Sequence, residues 1–269
     1  MHQANIESRY ALTGIAARSI NKIGRFLFGL ALSAAAGAAN SGVLVVSGDI
    51  TPIFSLTDAA PNPAVPGNGT FFSNILGSGT RVAVLRTSLN PGTENEVNGY
   101  YSSLPGVTSA AFNGPVTATS LQGIDLLIAP IPDHAFNVAE TTALEAFLQG
   151  GGSIFLMGET TTFATTNAQI NTFLSAIGSG LSLTNATLDI GSQIASGSRI
   201  AVDPLTNGVT QYGYGSTSIV QGGTPLFFTS NNQPFVAYET FSAAVPEPAT
   251  FPLLATGIVL LRRSRRRMS

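Results

Sequence analysis

The chain has no cysteine and no tryptophan, and its only lysine is Lys22. Without thiols it can form no disulfide, no thiolate metal site and no cysteine nucleophile. Its core must therefore hold without covalent staples. Histidine is nearly absent as well, with only His2 and His134. Cations are scarce through the middle of the chain: between residues 40 and 244 only Arg81, Arg86 and Arg199 face twelve acidic residues, a balance of 3 − 12 = −9. Nucleic-acid binding needs clustered cations that displace counterions from phosphates, so nucleic acid is excluded as a partner.

The remaining basic residues sit at the two ends. Arg9, Arg18, Lys22 and Arg25 precede an apolar run from Phe26 to Ala36, and Ala36-Gly37-Ala38 supplies small residues where a signal peptidase cuts. Residues 1–39 read as a secretory signal peptide cleaved near Ala38 or Ala39. The other end runs Val245-Pro246-Glu247-Pro248, then apolar residues from Phe251 to Leu261, then Arg262, Arg263, Arg265, Arg266 and Arg267. The apolar run is eleven residues, against about 20 for a stable span, so it predicts a short and temporary hold. The arginines act as a stop that stays on the cytoplasmic side.

This order of spacer, apolar segment and cationic stop resembles the PEP-CTERM sorting signal of exported Gram-negative proteins. The resemblance implies recognition and cutting by a membrane-embedded exosortase at residues 244–269. It further implies transient anchoring in the inner membrane, then release to the cell surface or extracellular matrix, in the company of biofilm exopolysaccharide.

About 205 residues remain between the two signals, enough for one domain with a sizeable core. Val43 to Val46 is a short apolar run of the kind buried on both faces of a parallel sheet. Pro52, Pro61, Pro63, Pro66 and Gly67 predict a loop, and Thr70 to Leu76 a helix stopped by Gly77 and Gly79. Strands follow at Arg81–Leu85, Val107–Phe112, Asp125–Pro130 and Ser153–Met157. Between them lie a helix capped by Thr93 with Glu96 at capping-box spacing, and a helix from Asn137 to Gln149 with Glu140 three residues after its cap. Another helix is predicted to start at Thr166 or Asn167.

Alternation of strand and helix over about 135 residues is the pattern of a doubly wound, mostly parallel sheet of flavodoxin-like type. From Leu181 to Phe241 shorter strand-like pieces, Ser198–Val202, Pro225–Thr229 and Phe235–Tyr238, predict a C-terminal β-rich extension of the same domain, residues 40–243.

The segment Gly123-Ile124-Asp125-Leu126-Leu127-Ile128, the helix after it and Gly150-Gly151-Gly152-Ser153-Ile154-Phe155-Leu156 resemble class I glutamine amidotransferase-like domains. Asp203-Pro204-Leu205-Thr206-Asn207-Gly208-Val209 is similar to a segment of non-catalytic relatives. Members of that superfamily carry a nucleophilic Cys directly after the central strand, where this chain reads Met157-Gly158-Glu159-Thr160. Without a thiolate the acyl-enzyme route has no nucleophile. The resemblance therefore implies a non-catalytic domain that acts in binding or structure.

In open α/β sheets, ligands sit beyond the carboxyl ends of the strands. The polar residues expected there are Asp49, Asp133, His134, Glu159 and Thr160, with Asp58 in the first long loop. Two readings stay open for them. Asp49 and Glu159 could bind a cation or do acid–base work if brought within a few ångströms, with Asp133-His134 adding a base or ligand; or all are solvated loop residues. The first reading would make the protein an envelope hydrolase.

No residue is assigned as catalytic, and no metal or cofactor is implied. The sequence has no Gly-x-Ser-x-Gly elbow, and no Lys follows Gly150–Gly152 as in a phosphate-binding loop. Asn68-Gly69-Thr70 and Asn185-Ala186-Thr187 fit glycosylation sequons. Tyr212, Tyr214, Phe227 and Phe228 read either as a carbohydrate-stacking face or as core.

Overall fold

A computed structural model describes residues 41–57 and 64–242. The predicted signal peptide, Asp58 and the whole tail from Val245 to Arg267 lie outside the described residues. No helix among those described is long and apolar enough to cross a membrane.

The chain folds as mixed α/β around a mostly parallel sheet of seven strands, with additional antiparallel pairs. Strands β1 (Gly42–Ser47), β2 (Arg81–Leu85), β3 (Thr108–Phe112), β4 (Leu126–Pro130) and β5 (Ser153–Met157) form the parallel part. Their spatial order is β3-β2-β4-β5-β1. Beyond β1 the sheet continues antiparallel through β11 (Pro234–Phe241) and β10 (Thr224–Phe228). Strand β1 has a strand on each side, parallel β5 and antiparallel β11, and Leu44 to Val46 are buried because a core lies on each face of it.

The four helices divide between the two faces. Phe71 and Phe72 of α1 (Pro66–Leu76) and Val97 and Tyr101 of α2 (Thr93–Ser103) pack in one core with Val45, Val84, Ile128 and Phe155. Leu144 and Leu148 of α3 (Val138–Gln149) and Ile170 and Phe173 of α4 (Ala164–Ala176) pack in a second core with Leu44, Val46, Ala129 and Leu156. Alternate residues of one strand thus feed opposite cores, as the pleat requires.

Chain order and face together locate the crevices. After β1 the chain crosses on the α1 face, and after β5 on the α4 face, yet β1 and β5 are neighbours. The same divergence separates β2, followed by α2, from its neighbour β4, followed by α3. Each is a topological switch point, the place at the carboxyl ends where open α/β sheets bind their ligands.

Several predicted boundaries move, each for a local reason. Helix α1 begins at Pro66, not Thr70: proline at the first helical position gives up only an N–H that had no partner there. Thr93 does not cap α2; Gly92 occupies the cap in the left-handed region, and the Thr93 hydroxyl donates to Asn90 O at 2.7 Å. Glu96 instead accepts from Thr57 Oγ1 at 2.9 Å. Helix α4 starts at Ala164, so Thr166 and Asn167 lie inside it. The piece Ser198–Val202 is not a strand: a short 3-10 turn at Gly197–Arg199 leads to an isolated bridge between Ile200 and Phe227.

The expected capping box of α3 forms in full. Asn137 Oδ1 accepts from Ala139 N and Glu140 N, and Glu140 Oε2 accepts from Asn137 N. The β-rich extension adds a hairpin of β7 (Gln193–Ser196) with β8 (Gln211–Tyr214), and a short pair of β6 (Ser182–Leu183) with β9 (Val220–Gln221).

Candidate functional site

The first switch point brings Asp49 and Glu159 together. Asp49 follows β1 and is fully buried; Glu159 follows β5 and is half-buried. Asp49 Oδ1 accepts from Thr51 N at 2.8 Å, and Oδ2 from Gly215 N at 2.6 Å. Glu159 Oε1 accepts from Thr160 N at 2.9 Å, and Oε2 from Ile50 N at 3.5 Å. The two carboxyl groups are near enough for each to act on the ionisation of the other.

Two carboxylates in one dry place cannot both ionise cheaply. Burial pushes Glu159 up to about 7, and the negative charge of Asp49 adds to the rise. Burial raises Asp49 as well, against the lowering effect of its Thr51 and Gly215 hydrogen bonds. Both carboxyls therefore hold a proton more readily than they would in water.

A set of surrounding hydrogen bonds, almost silent in the sequence, fixes this pair. Asn167, inside α4 and fully buried, receives Glu159 N on Oδ1 at 3.1 Å and donates through Nδ2 to Glu159 O at 2.6 Å. Ser218 Oγ donates to Glu159 O at 2.8 Å. A Cβ on Gly215 would strike the Thr51 side chain, so any other residue there would force Thr51 to shift. The polar residue inside an apolar helix stripe, Asn167, was the only sequence signal of these bonds.

Asp133 and His134 belong to the second switch point and form a separate cluster. Asp133 Oδ2 accepts from Ser88 N at 3.0 Å and from Ser88 Oγ at 2.8 Å, while Oδ1 lies 3.0 Å from His134 Nδ1. His134 Nε2 lies 3.5 Å from Glu140 Oε1, whose carboxylate also accepts from Val116 N at 3.0 Å. The His134 contact, and then the Ser88 N–H, hold Asp133 down to about 2. His134 is raised, chiefly by its hydrogen bond to Asp133.

The four predicted acid–base residues are thus two pairs at two crevices. Asp49 and Glu159 are buried or half-buried, which departs from the solvated reading, whereas Asp133 and His134 are exposed loop residues that hydrogen-bond each other. Among the described residues no group of three or more His, Asp or Glu could hold a metal ion. Two surface concavities, of about 430 Å³ around Ile200–Thr210 and about 420 Å³ beside Gly178, Gly223 and Tyr238, border neither pair.

The aromatic stacking face is corrected in the same way. Tyr212, Tyr214 and Phe227 are buried, with Tyr212 stacked on Phe227 at 3.9 Å and Tyr214 on Phe235 at 4.3 Å. They are core, and the Tyr212 hydroxyl is buried there without a hydrogen-bond partner. Asn68 of the first sequon is also fully buried: Oδ1 accepts from Gly213 N at 2.8 Å, and Nδ2 donates to Gly213 O at 2.9 Å and Pro52 O at 3.2 Å. It is a tie between α1 and β8, closed to a glycosyl group in the folded protein.

No protein-family model matches the chain. No curated protein matches it in sequence either. Among solved structures, the mmIFT52 N-terminal domain is similar at 15% identity and a TM-score of 0.45, covering 56% of this chain and 81% of that one. A likeness at that level carries no functional argument.

Proposed function

We propose that this chain is an exported surface or matrix protein, processed by an exosortase, whose α/β domain binds or builds and does not catalyse. The observation that carries the reading is the turn after β5. Where an amidotransferase-like domain needs a thiolate, this chain has Glu159, its carboxylate directed to Thr160 N, Ile50 N and Asp49. Those N–H groups, which could otherwise steady an oxyanion, are already occupied from within the chain.

The strand order supports kinship with the flavodoxin-like and amidotransferase-like sheets. Strands β2 to β5 run 3-2-4-5, the pattern of the first four strands in the order 2-1-3-4-5, and β1 takes the place of the fifth. The tail supports the address: signal peptidase and exosortase as processing partners, a transient hold in the inner membrane, and exopolysaccharide as the class of ligand met outside.

One observation favours the alternative of an envelope hydrolase. A half-buried Glu159 poised at about 7 beside a second carboxyl is the setting of a proton-sharing dyad. Against it, Asp49 is fully buried, and both of its carboxyl oxygens already accept N–H groups of the chain itself. Assay of purified residues 40–244 for glycan binding and for ester and glycoside hydrolysis separates the two. Glycan retention without turnover is expected; turnover that disappears in Glu159→Ala would overturn the non-catalytic reading.

A further inference from the structure

The first and last strands of the sheet lie side by side, with Gly42 opposite Phe241. The chain therefore enters and leaves the described domain at one place, the amino-terminal pole of the parallel strands. Both switch points lie at the opposite pole. From Phe241 to the start of the apolar run at Phe251 there are ten residue steps, which reach about 33 Å when fully extended. Turning the opposite pole to a membrane would use almost all of that. The eight residues of β11 span about 24 Å, and the headgroup layer adds about 6 Å.

Charge points the same way. Of the eleven acidic residues among those described, Asp49, Glu94, Glu96, Asp133, Glu140, Glu159 and Asp189 gather at the carboxyl pole. Glu145 and Asp203 lie between the poles. The amino pole has only Asp125, exposed, and Glu239, half-buried, and both accept hydrogen bonds from neighbouring turns. Asp125 accepts from Thr80 N and Arg81 N, and Glu239 from Gly180 N and Ser179 Oγ. Arg81 is exposed beside Asp125. An anionic leaflet repels the first pole and tolerates the second.

We propose that the amino pole, made of the turns at residues 77–81, 122–125 and 149–153, is the face laid against an anionic lipid surface while the tail holds the protein. The Asp49–Glu159 and Asp133–His134 crevices are then presented outward. This rests on the reading of the tail as a membrane hold, and adds the face and the direction.

The absence of cysteine makes the test direct, since one introduced thiol is unique. Ser78 at the amino pole and Asn231 in the β10–β11 loop are both exposed, so Ser78→Cys and Asn231→Cys can each carry a fluorophore on the full-length chain. The labelled proteins are mixed with phosphatidylethanolamine–phosphatidylglycerol vesicles carrying a headgroup quencher, and flotation is scored with quenching. Flotation with quenching several-fold greater at position 78 than at 231 is the expected result. Flotation with equal or reversed quenching overturns the orientation and leaves the hold standing. Failure to float overturns the hold, and the orientation with it.

Discussion

Replacing Asp49 with alanine is expected to lower the folding free energy by about 2–5 kcal/mol, read by urea denaturation at pH 6. The substitution leaves the N–H groups of Thr51 and Gly215 without their acceptors. A buried donor left unpaired costs about 1–3 kcal/mol, and two are orphaned together. The Gly215 bond joins the end of β1 to a loop 166 residues away, so the loss also loosens the β-rich extension from the sheet. Removing a buried charge returns part of the cost, which is why the lower bound is not higher. A change within about 0.5 kcal/mol, the ordinary range of a surface substitution, would show that Asp49 does not hold this junction.

The second large effect is one of pH. Glu159 moves from 4.5 unfolded to about 7 folded. Its folded state binds the proton more tightly, so its contribution to stability is whole below about pH 4.5 and is lost as pH rises through about 7. The size is about 2 kcal/mol after discounting for its partial exposure. His134, also raised, loses its contribution as pH rises through its folded value. Asp133, held to about 2, and the lowered Glu140 and Asp189 act in reverse, giving stability that is lost as pH falls through their folded values. Stability is therefore expected to peak at mildly acidic pH and to decline toward pH 8. Glu159→Gln keeps an acceptor for Thr160 N and offers Asp49 a donor, without the second charge. At pH 8 this variant should be more stable than the parent by about 1–2 kcal/mol, with a flatter profile between pH 5 and 7.5. An unchanged slope in the variant would mean that Glu159 does not take up the proton there.

How much of this was legible in the sequence depends on how local the cause is. The segment from β4 through α3 to β5 could be read directly, because capping by Asn137 and Glu140, the apolar stripe and the glycine stop act within a few residues. Glu159 and Asp49 could be placed at strand ends for the same reason. Their union could not. It depends on β1 leaving its place in chain order to lie beside β5, a choice made by whole cores and not by neighbouring residues. The roles of Gly215 and Ser218 follow from that topology and are hidden with it, while Asn167 shows only as a polar residue in an apolar stripe. Asn68 shows the hazard of short motifs: a three-residue sequon match says nothing of the tie to Gly213 that buries it. The 3.6-residue pattern likewise missed the first turn of α1, because Pro66, Gly67 and Gly69 carry no apolar signal although Gly67 and Gly69 are buried.

The most direct test of the central claim is the intact mass of the protein recovered outside Gram-negative cells that express it with an exosortase. The expected species begins near residue 39 or 40 and ends near Pro246-Glu247-Pro248, without Arg262 to Arg267. Extracellular protein that still carries Arg267 would contradict the account.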